Sequence, residues 1–187
     1  MRDGGRGGGI AYHRAMSSAV PRDQQRAELA VLGLTAALVV IADQLTKAAV
    51  AGAVGVGERV DVIGDLVALW HVRNSGAAFS LFQFEGSLIL FYAVHVAALG
   101  MVAWFQRGFR GRSLWLHAIL GLLLGGSIGN LIDRIRQGYV TDFVSMGIGD
   151  VRFPTWNIAD AGITVGIVLL VAYLVLLEPR HAAEPSG

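Results

Sequence analysis

Four long apolar segments constrain this 187-residue chain more than any other feature of its sequence. They cover residues 29–54, 87–105, 114–132 and 158–177. Each is close to the roughly 20 residues that an α-helix needs to cross the hydrocarbon core of a bilayer. Charged residues make up only 16% of the chain, against about 25% in typical soluble domains. The sequence therefore predicts an all-α integral membrane protein with four transmembrane helices.

The polar ends of the chain complete the predicted domain organisation. Residues 1–27 are polar and Gly-rich at the start, which predicts a disordered cytosolic tail. Residues 28–178 are expected to form one four-helix membrane domain, followed by a second cytosolic tail over residues 179–187.

A cleaved signal peptide is the alternative for the first apolar segment, because AVAGA offers small residues near a possible cut. Asp43, Gln44 and Lys47 lie between the apolar region and that cut, where a signal peptide is normally free of charge. We therefore favour a membrane span.

The loop over residues 55–85 is predicted to carry a small β-like element between the first and second spans. Residues 58–72, ERVDVIGDLVALWHV, contain β-branched residues, partial alternation and a Gly-Asp turn signal. This pattern indicates two short strands on the membrane surface. Residues 74–82, NSGAAFSLF, predict a tight turn into a short helix.

Glycines recur at four-residue spacing in two of the spans. The third span has Gly121, Gly125 and Gly129, and the fourth has Gly162 and Gly166. Small residues at this spacing allow two helix backbones to approach closely. The run GGSIGN is not a phosphate-binding loop, because no strand precedes it and no Gly-Lys-Ser/Thr follows it.

Lys and Arg indicate the orientation of the chain in the membrane. Residues 106–112, QRGFRGR, hold three arginines and lie between Trp104 and Trp115, as expected of an interfacial belt. We predict that both termini and this loop are cytosolic. The loops over residues 55–85 and 133–156 are then on the outer face.

Composition excludes several classes of function. The chain has no cysteine, so it has neither a thiolate nucleophile nor a Cys-based metal site. Its five histidines are scattered without zinc-site spacing, so we expect no metal and no cofactor. A net charge of +1 is too small to suggest nucleic acid as a partner. His95, in the second span, is expected to be a packed, hydrogen-bonded residue rather than a ligand.

Two carboxylates carry the predicted chemistry: Asp142, just before the last apolar segment, and Asp160, just inside it. Placing a carboxylate at the edge of a bilayer costs free energy, so such a residue is usually paired with a cation, solvated by water or needed for function. Two neighbouring carboxylates share one proton, so one can take a proton from water while the other donates to a carbonyl oxygen. This pattern predicts an aspartyl peptidase.

Each of these residues also has a structural interpretation. Asn157 could cap the fourth helix, with Asp160 at its third position, and Asp142 could be an exposed loop acid.

Other polar residues accompany the pair. Asp43 and Lys47 are four apart on one helix face, as in an interfacial ion pair or a snorkelling lysine, and we favour a supporting role. Asn130, Asp133 and Arg134 lie within about one turn at the outer end of the third span. Arg134 could bind a lipid phosphate, a substrate carbonyl or Asp133, or anchor the helix at the interface.

Asn74 and Gly76 lie in a polar turn of small residues. They form either an ordinary loop turn or a set of hydrogen-bonding groups for an extended peptide.

Five motifs in this order resemble the lipoprotein signal peptidase family, signal peptidase II, over residues 29–177. They are DQLTK (43–47), NSGAAFS (74–80), GNLIDR (129–134), GYVTDF (138–143) and FPTWNIAD (153–160). The resemblance implies that the aspartates of V-x-D-F and N-x-A-D, here Asp142 and Asp160, are catalytic. It implies supporting or substrate-binding roles for the residues that match the family's other site positions: Asp43, Lys47, Asn74, Gly76, Asn130, Arg134 and Asn157. Trp156 stands where the family often has Phe, and the N-terminal tail is longer than usual.

The resemblance also implies a substrate and a location. It implies cleavage of diacylglyceryl-modified prolipoproteins just before the lipidated cysteine, inhibition by the cyclic peptide globomycin, and a multi-pass place in the bacterial inner membrane with the site at the outer face. Two other classes are consistent with the residues alone. One is a small proton-coupled transporter or channel subunit whose acids form a proton path, and the other is a lipid-binding scaffold.

Overall fold

The computed structural model describes residues 20–76 and 87–176. The predicted C-terminal tail and most of the predicted N-terminal tail lie outside these ranges. So does the predicted turn and short helix from residue 77 onward. The first helix begins at Arg22, inside the segment predicted as a tail, because the polar helix formers after Pro21 continue the apolar helix beyond the membrane.

The described residues form four helices and four strands, with one strand hairpin after the first helix and another after the third. In chain order the elements are α1 (Arg22–Ala53), β1 (Arg59–Ile63), β2 (Val67–Asn74), α2 (Ser87–Gly108), α3 (Leu114–Gln137), β3 (Val140–Ile148), β4 (Val151–Arg152) and α4 (Ile158–Leu176). Within the described residues, three helices are long and apolar enough to cross a membrane, namely α1, α3 and α4.

Helix α3 is the centre of the bundle and packs against α1, α2 and α4. Its glycines face the neighbouring backbones, as the four-residue spacing predicted. A Cβ atom on Gly121 would lie 2.7 Å from the carbonyl oxygen of Leu32, and one on Gly125 would lie 2.6 Å from that of Ala36. Gly126, on another face, meets the carbonyl oxygen of Ala159 on α4. Close packing of α3 on two partners therefore depends on glycine.

The apolar core fills the end of the bundle near the α2–α3 loop. Its buried side chains come from all four helices and include Leu32, Val102, Leu116, Leu120 and Leu170. A smaller cluster of Val50, Val54 and Phe143 joins the far end of α1 to β3. The polar residues of the sequence motifs lie between these two apolar clusters.

The strands form one antiparallel sheet in the order β1-β2-β3-β4. The two strands predicted between the first and second apolar segments are present as β1 and β2. The protein is mostly helical, as predicted, but the sheet is larger than predicted, because residues 133–156 also contain the strands β3 and β4. In the register of β2 and β3, Val72 pairs with Asp142 and Asn74 with Val140. The sheet therefore places part of each loop against the other.

The turns of the two hairpins are held together by Asp65. Its carboxylate accepts hydrogen bonds from the backbone N–H of Gly149 and from Arg59 Nη2 at 2.5 Å, and lies 3.3 Å from Arg152 Nη1. The N–H of Gly149 and the Arg59 guanidinium hold the pKa of Asp65 below its usual range. The two loops thus form one unit at their outer ends.

The close contact of α3 with α1 yields a stability test. We expect Gly125→Ala to lower the free energy of unfolding by about 1–3 kcal/mol, because the new methyl group would overlap the Ala36 backbone. Gly33→Ala on α1 is the matched control, since a Cβ there meets nothing within 4 Å. Alanine in an open helix position is favoured over glycine by about 0.5–1 kcal/mol. Thermal unfolding in detergent measures both, and equal midpoints for the two variants would contradict the packing described.

Candidate active site

Asp142 lies near the start of β3 and is buried. Its Oδ2 atom accepts a hydrogen bond from Asn74 Nδ2 at 2.8 Å, and its Oδ1 atom accepts one from Asn157 Nδ2 at 2.7 Å. The alternative of an exposed loop acid is therefore wrong. Asp142 lies on a strand paired with β2, and the four residues from Val140 to Phe143 are all buried there.

Asp160 lies in the first turn of α4 and takes part in its cap. The backbone N–H of Asp160 donates to Asn157 Oδ1 at 3.0 Å, and the backbone N–H of Asn157 donates to Asp160 Oδ2 at 3.2 Å. This reciprocal pair is a capping box, as the spacing of the two residues predicted. The second oxygen, Oδ1, accepts from Asn130 Nδ2 at 2.7 Å. Asp160 can therefore cap the helix with Oδ2 and still offer Oδ1 for chemistry, so the two interpretations of this residue are compatible.

Asn157 joins the two carboxylates. Its side chain donates to Asp142 and its backbone N–H donates to Asp160. The orientation of its amide is fixed, because Oδ1 already accepts from the N–H of Asp160 and leaves Nδ2 to face Asp142. One residue at the start of α4 therefore sets the relative position of both acids.

The amide of Asn74 is oriented in the same way. Its Oδ1 accepts from the backbone N–H of Gly76 at 2.8 Å, so its Nδ2 faces Asp142. Gly76 has a φ of +91°, a backbone conformation that other residues rarely adopt. The predicted polar turn is thus part of the site, and Gly76 is needed for its shape.

Burial raises the pKa of Asp142 to about 6, because desolvation disfavours the charged carboxylate. The hydrogen bond from Asn74 acts in the opposite direction, and the nearby charge of Asp160 raises the pKa further. A carboxyl group with a pKa close to neutral can hold and release a proton under physiological conditions.

Lys47 lies behind the two acids and is buried. Its Nζ atom contacts Asp43 Oδ2 at 2.7 Å, Asp133 Oδ2 at 3.0 Å and Asn130 Oδ1 at 3.0 Å. The ammonium group has three donors, so all of them have acceptors. Lys47 therefore neither snorkels to the headgroups nor forms a surface ion pair. The sequence favoured a supporting role, and the hydrogen bond from Lys47 to Asn130 is the contact through which such a role could be exerted.

Asp133, Gln44 and Thr141 belong to the same network but were not assigned to the site from the sequence. Gln44 Nε2 donates to Asp133 Oδ1 at 3.0 Å, and the backbone N–H of Thr141 donates to Asp133 Oδ2 at 3.0 Å. Asp133 follows Asn130 by three residues, so the two share a helix face, and this signal could have identified it. The contact with Thr141 could not have been predicted, because it depends on the unpredicted strand β3.

Arg134 lies on the side of the site toward α2. Its Nη1 atom is 3.4 Å from His95 Nε2 and 3.3 Å from the carbonyl oxygen of Asn130. It interacts electrostatically with Asp160, Asp142 and Asp133. His95 is thus a packed, hydrogen-bonded residue, as predicted. Arg134 brings a positive charge to the two acids.

Two grooves meet at this network. One has a volume of about 920 Å³, is mainly apolar and runs between the hairpin turns and α4, with Leu66, Ile148, Phe153, Val165 and Asp160 among its lining residues. The other has a volume of about 730 Å³ and runs along the sheet, where Arg59, Trp70, Val72 and Asn74 line it. The first groove thus reaches Asp160, and the second reaches Asn74, whose amide holds Asp142.

Comparison with known proteins places the chain in a family. The family model described as signal peptidase (SPase) II matches residues 35–176. The chain is 36% identical to the lipoprotein signal peptidase of Enterococcus faecalis over 159 residues, which are 85% of this chain and 96% of that protein. It is 38% identical to the lipoprotein signal peptidase of Bacillus velezensis over 143 residues, which are 76% of this chain and 92% of that protein.

The fold is also similar to a solved structure. A bacterial membrane enzyme determined by the in meso method at 1.9 Å superposes with a TM-score of 0.70 at 32% identity, covering 77% of this chain and 92% of that chain. The protein is thus a membrane enzyme in fold and in family.

The chain belongs to the signal peptidase II family. It is an aspartic endopeptidase that removes signal peptides from prolipoproteins. The transporter and scaffold alternatives are therefore set aside.

The hydrogen bond from Asn74 to Asp142 predicts a shift in pH dependence. It favours the ionised carboxylate, so Asn74→Ala should raise the pKa of Asp142 further above its ordinary value. A bond of about 0.5–1.5 kcal/mol corresponds to a shift of about half a unit to one unit. The inflection that Asp142 contributes to the pH profile of kcat/KM should therefore move to higher pH. Gln137→Ala, which removes contacts with the Thr141 hydroxyl and the carbonyl oxygen of Tyr139 and none with Asp142, should leave the profile in place.

If Asn74 served only to hold the substrate, its loss would raise KM and leave the inflection where it is. That result would contradict the electrostatic role given to Asn74.

Proposed function

We propose that Asp142 and Asp160 are the catalytic pair, and that the chain cuts diacylglyceryl-modified prolipoproteins immediately before the lipidated cysteine. The observation that carries this proposal is the arrangement around Asn157, which holds the buried Asp142 and the half-buried Asp160, two carboxylates with different hydrogen-bond partners. No metal or cofactor is required by this chemistry. Within the described residues, no group of three or more acids and histidines is arranged to hold a metal ion.

Asp142 is the proton donor of the pair in this proposal. Its pKa of about 6 makes the protonated form far more accessible near neutral pH than in an ordinary aspartate, while Asp160 takes a proton from the attacking water. The water oxygen then bonds to the scissile carbonyl carbon, and Asp142 gives its proton to the carbonyl oxygen. Collapse of this intermediate breaks the C–N bond, and a proton passes to the leaving amine. The reaction needs no covalent enzyme intermediate.

Arg134, Asn74 and Gly76 bind the substrate in this proposal. Arg134 is close enough to both acids to interact with their charge, so it can also stabilise negative charge on the scissile carbonyl oxygen. Asn74 and Gly76 lie at the end of β2, where an extended peptide can approach their backbone groups. Lys47, which is paired with Asp43, holds Asn130, and through it Asp160, without touching the substrate.

The apolar groove offers a route from the bilayer to the acids. It ends at Asp160 and is lined by side chains of α4 that lie within the apolar segment, such as Val165. A lipid-modified cysteine could thus reach the site without leaving an apolar environment. The peptide inhibitor globomycin, expected from the family resemblance, would compete for the same space.

We further propose that α2 is a fourth membrane span. It has 22 residues, or about 33 Å at the rise of an α-helix, and it packs against α3. Four spans place both ends of the membrane domain on the side of the Arg-rich α2–α3 loop, which is the cytosolic side by the distribution of positive charge. The sheet and the two acids are then at the outer face of the bacterial inner membrane.

The catalytic proposal is tested by replacing each acid with its amide. Asp142→Asn and Asp160→Asn should each lower the rate of cleavage of a lipidated prolipoprotein by at least about 10²–10⁴-fold, because the amide cannot transfer the proton. The double variant should lose little more than either single variant, since the two acids act as a unit. Asp150→Asn, on the exposed turn between β3 and β4, is the control and should cleave like the unmodified chain.

The assay includes EDTA, because the proposed reaction needs no metal, and each variant is checked for folding in detergent. Rapid cleavage by a folded Asp142→Asn or Asp160→Asn protein would refute the pair. Loss of activity in EDTA that zinc restores would refute the metal-free mechanism.

The proposed topology is tested with single cysteines, since the chain has none of its own. Val62→Cys on β1 should react with a membrane-impermeant thiol reagent in intact cells, and Arg110→Cys in the α2–α3 loop should react only after lysis. Both positions are exposed. The neighbouring glycines 57 and 111 are unsuitable because both have a positive φ. The reverse labelling pattern would invert the orientation.

A further inference from the structure

A buried carboxylate at the end of the bundle opposite the two acids has no part in the proposed chemistry. Glu28 of α1 and His117 of α3 are fully buried, with Glu28 Oε2 at 3.6 Å from His117 Nε2. Glu28 Oε1 accepts a hydrogen bond from the backbone N–H of Gly111 at 2.8 Å. Gly111 lies in the α2–α3 loop and has a φ of +78°. Glu28 therefore attaches the loop to α1.

The attachment gives the loop a fixed place beside the start of α1. Val20, just before α1, lies against Gly111. Phe109 of the loop is buried in the core, and the guanidinium of Arg112 lies over its ring at 5.6 Å from the centroid. The loop backbone is thus held from both sides, and its charged side chains project from a defined surface.

Five exposed arginines meet at this surface: Arg22, Arg26, Arg107, Arg110 and Arg112. Among the neighbouring described residues, Asp23 is the one exposed carboxylate that can offset their charge. The N-termini of two helices, α1 and α3, lie at the same end, and α1 begins without a side-chain cap. Helix N-termini carry partial positive charge, so they add to the field of the arginines.

The flanking aromatic residues place this surface at the level of lipid headgroups. Trp104 is 69% exposed and Trp115 is 79% exposed. Large indole rings left exposed on either side of a charged loop are typical of the membrane–water interface. Arginine matches phosphate geometry with paired donors, which makes it suited to phosphodiester groups.

We propose that this surface binds the headgroup phosphates of anionic phospholipids in the leaflet at this end of the bundle. The surface is defined by the arginines of the α1 start and the α2–α3 loop. The proposal does not depend on the catalytic assignment, because the two sites lie at opposite ends of the helices. The occupant is a lipid rather than a soluble anion, because the exposed tryptophans put the arginines at headgroup depth.

The test uses the full chain in phosphatidylcholine bilayers that contain trace spin-labelled phosphatidylglycerol or spin-labelled phosphatidylcholine. The fraction of each label that is motionally restricted gives its relative association with the protein. We expect phosphatidylglycerol to associate about two- to fourfold more strongly at low ionic strength, and this preference to fall towards one in about 1 M salt.

Matched pairs of variants locate the effect. Arg107→Gln with Arg110→Gln, and separately Arg22→Gln with Arg26→Gln, should each remove most of the preference. Arg73→Gln with Arg136→Gln removes two exposed arginines from the other end and should leave the preference intact.

Three outcomes would overturn the proposal. One is equal association of the two lipids with the unmodified chain. Another is a preference that the Arg73/Arg136 pair removes as strongly as the two test pairs. The third is loss of the preference with inorganic phosphate or a short RNA but not with chloride at the same ionic strength, which would identify a soluble anion or nucleic acid as the ligand.

Discussion

The structure depends on one buried ammonium group, that of Lys47. It is surrounded by the carboxylates of Asp43 and Asp133 and by the amide oxygen of Asn130. The partners extend the contact to other elements, because Asp43 also accepts from the backbone N–H of Ala159 on α4 and Asp133 from that of Thr141 on β3. A charge buried in this way is tolerated only when all its partners are present, and removal of one typically costs about 3–5 kcal/mol. The cluster therefore fixes α1, α3, α4 and β3 relative to one another at a single point.

That point determines where the two acids lie. Asn130 accepts from Lys47 with its oxygen and donates to Asp160 with its nitrogen, so the ammonium group also sets the direction of the amide. Asn157 repeats the arrangement between Asp160 and Asp142. Each amide has its oxygen occupied by a donor and therefore offers its nitrogen to a carboxylate. The result is a chain of oriented groups that needs little reorganisation when charge moves during a reaction.

The sequence was sufficient for the apolar helices, the glycine faces and the cap of α4, because each of these depends on residues close together in the chain. Gly121 and Gly125 are one turn apart, and Asn157 and Asp160 are within one turn. The strand β3 was missed although VTDFVSMGI contains β-branched and aromatic residues, because its stability comes from pairing with β2, more than 60 residues earlier. The same long-range pairing buries Asp142, raises its pKa and brings Thr141 to Asp133. What could not be predicted was thus the set of contacts between the two strand hairpins.

The two acids reach the site from different environments, and this difference has a chemical consequence. Asp160 is carried by a helix whose next turns are apolar and line the apolar groove, whereas Asp142 is carried by a strand of the sheet. In the proposed reaction, the acyl chains of the lipid-modified cysteine stay in hydrocarbon while water reaches the peptide bond from the side of the sheet, so the cut falls at this boundary. A pair of carboxylates on a single helix would lie wholly within one environment. By dividing the pair between a helix and a sheet, the fold gives the acids different hydrogen-bond partners, and in the proposed function it sets Asp160 beside the apolar groove that takes the lipid and Asp142, through Asn74, beside the second groove.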